Sequence, residues 1–277
     1  MVAVPGLTRH RVDGGEVAAL TLGAAVGPTL VLIPGLTDGL APVTDPAARA
    51  LFTAAPLPLP LERMRGLVLS HRMPLPPGTS TAELAADLAA VLATRLEEPA
   101  VLVAHSLGGM VAQHLAATHP EVVAGLVLSA TMGRADDRLR AVLARWDRWL
   151  IRGDQARFRR DAIHASLTGA ACRDALALDT ATAVRPAPPS RVARHLVLSA
   201  ATAGHDATAD LHRVRVPALV LAGSEDELVD PAAAAALAAA LPAGHLVGFD
   251  GLGHGFPEQA PGPFRHQVVG FLAGLGW

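Results

Sequence analysis

"VLVAHSLGGMVAQHLA", Val101 to Ala116, sets an apolar run against Ser106, which lies between His105 and the Gly108-Gly109 pair. Upstream, "PAVLVA" has the uninterrupted apolar character of a fully buried, parallel-type strand, and downstream "GGMVAQHLAATHP" has the three- and four-residue apolar spacing of a helix. Ser106 therefore falls on the bend between them. A turn that tight needs small neighbours so that strand and helix backbones can approach, and Ala104 and Gly108 stand two residues to either side. Such a bend lifts the hydroxyl out of the core.

Outward from this stretch the chain alternates. "LTRHRV" and "EVAALTL" flank the turn Asp13-Gly14-Gly15 as an opening hairpin, and "TLVLIPG" follows as a short strand ending at Gly35. "RGLVLSH", "AVLVA", "AGLVLSA", "ALVLAGS" and "HLVGFDG" read as further strands, with "STAELAADLAAVLATRL", "GGMVAQHLAATH", "PAAAAALAAAL" and "FRHQVVGFLAGL" as helices. The fold class expected is α/β, a mainly parallel central sheet with helices on both faces. Residues 134–213 break the alternation with helical patterns alone. There Leu139, Val142, Leu143, Trp146, Trp149 and Leu150 form one apolar stripe. The expected organisation is a core of residues 1–133 and 214–277 with a helical insert at 134–213.

Composition narrows the function classes. The chain has 277 residues, 51% hydrophobic and 17% charged, with a formal charge of −2, which describes an enzyme-sized chain with ample core. It has no tyrosine and no concentration of Lys and Arg, so a nucleic-acid partner is not expected. The insert's Arg138, Arg145, Arg148 and Arg152 alternate with Asp136, Asp137, Asp147 and Asp154, which favours a solvated outer face over an acidic-substrate site. Cys172 is the single cysteine, so no internal disulfide is available. No secretory signal is read at the start, and the longest apolar tract, from Ala232, is too short for a bilayer. A cytoplasmic enzyme acting on a small molecule, without membrane, metal or cofactor, is the expectation.

In an open parallel sheet, ligands sit beyond the carboxyl ends of the strands. The residues that follow the strands are Pro34, Gly35, Leu36 and Thr37, then Ser106, then Asp226, then His254. A serine, an acid and a histidine at one sheet edge are the parts of a nucleophilic triad. A serine hydroxyl is a poor nucleophile near neutral pH, so an imidazole must take its proton and a carboxylate must fix that imidazole's tautomer. The attacked carbonyl oxygen needs donors already in place, and the backbone amides of Leu36 and Leu107 are situated to serve as an oxyanion hole. Thr37, Met132, Trp146 and Trp149 are candidate pocket residues, with packing inside the insert as the competing reading for the tryptophans. His105, adjacent to Ser106 on a sharp turn, reads as structural, and Glu225 and Asp230 compete with Asp226 for the acid.

Nearly end to end the chain resembles the α/β-hydrolase superfamily. "AHSLGG" is similar to its nucleophile elbow, "GSEDELVDP" to its acid loop, "GLGHGFPEQAP" to its histidine loop and "LIPGLTDG" to its oxyanion loop, in the family's order Ser, Asp, His. The resemblance implies Ser106, Asp226 and His254 as the catalytic set. Asp226 is chosen because the family pattern puts the acid three residues after a glycine such as Gly223 and five before a proline such as Pro231. It implies further that residues 134–213 are a cap and that substrate binds between cap and sheet. Ala104 and Pro34 depart from the family, standing where a glycine and a histidine are usual. The activity implied is hydrolysis of a carboxylic ester, lactone or thioester through an acyl-serine. Alternatives are a triad enzyme with a non-hydrolytic or C–C-bond reaction, such as an acyltransferase, lyase or cyclase, and a non-catalytic binding protein on the same fold.

Overall fold

A computed structural model describes residues 6–54, 57–181 and 186–277. The opening residues read for a secretory signal thus lie partly outside the described residues, as do residues 182–185 of the insert. The hairpin is formed by β1 (Gly6–Val12) and β2 (Gly15–Gly23), turning at Asp13-Gly14, where Gly14 has φ of +73°. Next come β3 (Thr29–Ile33), α1 (Pro46–Ala54), β4 (Arg65–Leu69), α2 (Thr81–Arg95), β5 (Ala100–His105), α3 (Leu107–Thr118) and β6 (Val123–Ser129). Four helices without a strand follow: α4 (Asp137–Ile151), α5 (Gln155–Ser166), α6 (Gly169–Ala181) and α7 (Pro189–Ala203). The chain then closes with β7 (Ala218–Gly223), α8 (Pro231–Ala240), β8 (Gly244–Phe249), the short α9 (Phe256–Gln259) and α10 (Pro261–Gly274).

The eight strands form one sheet in the order β1-β2-β4-β3-β5-β6-β7-β8. Only the β1–β2 and β2–β4 pairings are antiparallel. Neighbouring residues of one strand go to opposite cores. Val31, Ile33, Leu102, Leu126 and Leu128 pack with α2, α3 and α8, whereas Leu30, Leu32, Val101 and Val127 pack with α10. That two-sided burial is why these strands read as continuous apolar runs. The helix α1 was not part of the expected alternation; its Phe52 packs against the second core.

Strand order reverses between β3 and β5. From β3 the chain steps to β4 on one side, then returns to place β5 on the other, with Ile33 opposite Ala104 in register. A crevice opens at such a switch point, because the two outgoing loops diverge. Here those loops are Pro34–Thr37 and His105–Leu107. No helix among the described residues is long and apolar enough to cross a membrane.

Candidate active site

Ser106 leaves β5 with φ of 56° and ψ of −121°, a left-handed conformation that a side-chain-bearing residue adopts at a cost of about 1–3 kcal/mol. The surroundings hold it there. Its N–H donates to the Ser129 carbonyl at 2.9 Å, and its own carbonyl accepts from Gly109 and Met110 as α3 begins. At Gly108 a Cβ would lie 2.1 Å from the Ile33 carbonyl oxygen, so only glycine lets α3 start this close to β3. Ala104, two residues before Ser106, is fully buried.

The oxyanion candidates lie alongside. Leu36 opens a short 3₁₀ turn, Leu36–Gly39, and Leu107 opens α3, so neither amide has an acceptor within its own helix. A Cβ placed on Gly35 would come 3.3 Å from Ser106 Cβ and 3.3 Å from the His105 carbonyl oxygen. The loop after β3 therefore runs against the elbow, with proline at 34 in place of the histidine common in the family. Thr37 is exposed, and its carbonyl accepts from the Leu40 and Ala41 amides.

Asp226 and His254 follow β7 and β8. Asp226 Oδ2 lies 2.8 Å from His254 Nδ1, and Asp226 Oδ1 accepts from the Leu228 and Val229 amides at 2.8 and 2.9 Å. Burial pushes this carboxyl up, but His254 and the two amides outweigh it and hold the group below its ordinary value. The competing acids are otherwise engaged. Asp230 caps α8 through the Ala232 amide at 2.8 Å, and no hydrogen bond to His254 is made by Glu225 or Asp230 among the described residues. The two loops are stitched together by Ser224 Oγ, which accepts from Gly251 N–H at 2.8 Å, and by the Glu225 amide, which donates to the Leu252 carbonyl at 2.9 Å. The fully buried Phe256 anchors the chain just past His254.

His105 is structural in a way the sequence did not signal. Its ring packs edge-on against the His254 ring, with centroids 5.0 Å apart, while Nδ1 lies 3.0 Å from Ser129 Oγ. Burial, and then the charge of His254, lowers its pKa to about 3, so it stays neutral and offers His254 an uncharged wall. This contact also brings His254 beside the residue that precedes Ser106. Among the described residues Ser106 Oγ and His254 share no hydrogen bond.

The insert reaches each of these loops with a different helix. Arg138 of α4 donates to the Asp226 carbonyl at 2.9 Å; Ser166, ending α5, accepts from the Gly255 amide at 2.7 Å; and Arg194 of α7 lies 2.6 Å from Asp38, two residues after Leu36. Of the candidate pocket residues, Met132 is fully buried at the end of β6. Trp146 is buried within the insert, edge-on to Phe158 and donating Nε1–H to Asp161 at 2.7 Å. Trp149 is half-buried, with the guanidinium groups of Arg157 and Arg145 over its ring at 5.1 and 5.8 Å. Neither tryptophan is joined to Ser106 or His254 by these contacts. Among the described residues no three His, Cys, Asp or Glu side chains are grouped to hold a metal ion.

Comparison with known proteins identifies the family of the chain. The family described as "Serine aminopeptidase, S33" matches residues 78–258. The pimeloyl-[acyl-carrier protein] methyl ester esterase of Chromobacterium violaceum is 32% identical over 70% of this chain and 74% of its own length. The polyketide synthase ThaQ of Burkholderia thailandensis is 30% identical over 94% of this chain, which spans 12% of that much longer protein. Among solved structures, an α/β-hydrolase enzyme from a Medee basin deep-sea metagenome library superposes with a TM-score of 0.77 at 16% identity, covering 96% of this chain and 97% of the other. The chain belongs to the serine aminopeptidase family of the α/β-hydrolase superfamily, and it is an enzyme of the esterase-like hydrolase kind.

Proposed function

We propose that the protein hydrolyses a carboxylic ester, lactone or thioester through an acyl-enzyme on Ser106. The observation that carries this reading is the 2.8 Å contact between Asp226 Oδ2 and His254 Nδ1 beside the strained elbow. With Nδ1 turned to the carboxylate, Nε2 is left to take the proton of Ser106 Oγ. The serine oxygen attacks the acyl carbon, and the carbonyl oxygen gains a negative charge that accepts from the Leu36 and Leu107 amides. His254 then protonates the leaving alcohol or thiol as the C–O or C–S bond breaks, leaving the acyl group on Ser106. Water gives a proton to His254 as it attacks the acyl-enzyme, and collapse releases the carboxylic acid and restores the serine hydroxyl.

In this reading residues 134–213 act as a cap, and substrate enters between α4–α7 and the sheet edge. Two facts support it: the insert touches the acid, histidine and oxyanion loops at once, and the Chromobacterium relative is named for cleavage of a methyl ester. The test is a panel of p-nitrophenyl esters, lactones and acyl thioesters run with a fluorophosphonate probe and peptide mass spectrometry. Turnover of at least one substrate class, with the probe on Ser106 and lost in Ser106→Ala, is expected. A label on a different serine, or turnover undiminished in Ser106→Ala, overturns the assignment.

A further inference from the structure

The segment that carries Leu36 is held from below and above. Asp38, two residues on, has a side chain 1% exposed and is ringed by donors: Ser70 Oγ–H at 2.6 Å to Oδ1, the His71 amide at 3.0 Å to Oδ2, and Arg194 Nη2 at 2.6 Å to Oδ2. Ser70 in turn accepts from the Val43 amide at 3.0 Å, and Arg194 Nη2 also donates to the His71 carbonyl at 2.7 Å. Ser70 and His71 follow β4 and belong to the core, whereas Arg194 comes from α7 of the insert. One turn earlier on α7, Arg191 pairs with Asp45 and donates to the Leu40 carbonyl at 3.4 Å. Between the two arginine contacts, helix and loop nearly touch, since a Cβ on Gly39 would fall 2.6 Å from His195 Cα.

A buried ion pair of this kind contributes little net stability, because desolvating both charges offsets most of their attraction. What it supplies is position. The 3₁₀ turn is only four residues long, so fixing Asp38 fixes the direction of the Leu36 N–H at the other end of the turn. An oxyanion donor works only when already aimed at the oxygen, and misplacement by about 1 Å costs on the order of a hundredfold in rate.

We propose that Arg194 is a positioning residue that, through Asp38, aims the Leu36 amide at the oxyanion, so that docking of α7 sets the turnover of the core. This rests on the reading of Ser106 and Leu36 given above. It is tested with the full chain as wild type, Arg194→Met, Arg194→Lys and Asp38→Asn/Arg194→Met. The quantities measured are kcat and KM on a p-nitrophenyl ester, the inhibition constant of a trifluoromethyl ketone whose serine adduct carries the oxyanion, and fluorophosphonate labelling of Ser106.

Arg194→Met, folded by circular dichroism, should lose roughly tenfold to a hundredfold in kcat and a similar factor in ketone affinity, with KM within about twofold. Arg194→Lys should recover most of both, because a single nitrogen makes both contacts to Asp38 and His71. Should Arg194→Met not fold, the double variant, which buries no unpaired charge, must show the same paired loss. Kcat and ketone affinity within twofold of wild type, a loss confined to KM, or a double variant that does not fold each overturns the positioning role and leaves a joint between insert and core. Those results with a wild type labelled at Ser106 refute Arg194 alone. A wild type that neither turns over nor labels at Ser106 refutes the hydrolytic reading, and the positioning role falls with it.

Discussion

Two aspartates four residues apart, Asp226 and Asp230, do different work because of the atoms they face. Asp226 spends Oδ1 on two loop amides and Oδ2 on the imidazole, whereas the half-exposed Asp230 spends Oδ1 on the first turn of α8. Asp226→Asn should keep the fold but favour the wrong imidazole tautomer, with a loss of about 10⁴ in kcat. Asp230→Ala should leave kcat near wild type and cost about 1 kcal/mol of stability as a lost helix cap. Kinetics and urea melts on the two variants check this, and the reverse ranking would move the acid to position 230. The choice of Asp226 came from the resemblance, whose pattern spaces the acid from a glycine such as Gly223 and a proline such as Pro231. The partnership of Asp38 with Arg194 was not legible in the sequence. It joins residues 156 apart in sequence, and neither periodicity nor strand-end position marks a buried ion pair. The same holds for His105, whose packing on His254 depends on how two strand ends splay.

At the scale of elements, what was legible followed from periodicity and what was missed lacked it. The strands of the parallel sheet, buried on both faces, announced themselves as apolar runs, whereas the Ser80–Glu83 capping box that starts α2 is a finding of the structure, with the Glu83 amide donating to Ser80 Oγ at 3.2 Å and the Ser80 amide to Glu83 at 2.8 Å. Helix α1 and the 3₁₀ turn at Leu36–Gly39 are short and lie in a loop-like stretch, so no repeat reveals them. The decisive local contact is between α3 and β3. A Cβ at position 108 would meet backbone on two sides, Ile33 O at 2.1 Å and Pro34 O at 2.8 Å, and backbone cannot rotate aside as a side chain does. Gly108→Ala must therefore push α3 away from β3, moving the Leu107 amide relative to Ser106. The expected result is about 1–3 kcal/mol of destabilisation together with more than a tenfold fall in kcat. Thermal melts and ester kinetics measure both, and a variant with wild-type values would mean that the elbow does not pack on β3 this closely.

Across the whole molecule, the insert and the core share buried polar groups, and this gives the protein a predictable response to acid. His71, His195 and His205 are 0–2% exposed, and burial drives their pKa values down to about 4, 4 and 3. His205 bridges insert and core through Thr81 Oγ1 at 3.0 Å, and His195 packs edge-on to Phe158. In the unfolded chain each imidazole takes a proton near pH 6.5 that the native state refuses until about pH 4 or below, so between these limits the unfolded state binds more protons. Stability contributed by these groups is therefore complete above about pH 6.5 and falls as pH drops. His105 acts in the same sense. Asp147 acts in the opposite one, because burial raises its carboxyl to about 6 and the native state keeps a proton there that the unfolded chain has released. Asp87 and Glu258 are likewise raised, chiefly by burial. The histidines outnumber these carboxyls, so on balance the unfolded chain binds more protons and stability falls as pH drops from about 6.5. Urea unfolding at pH 7, 6 and 5 should show that decline, and His205→Gln should make it shallower. A stability profile level from pH 7 to pH 5 would show that these imidazoles are reached by solvent, and the packing of α7 and of the β6–α4 connection against the core would have to be redrawn.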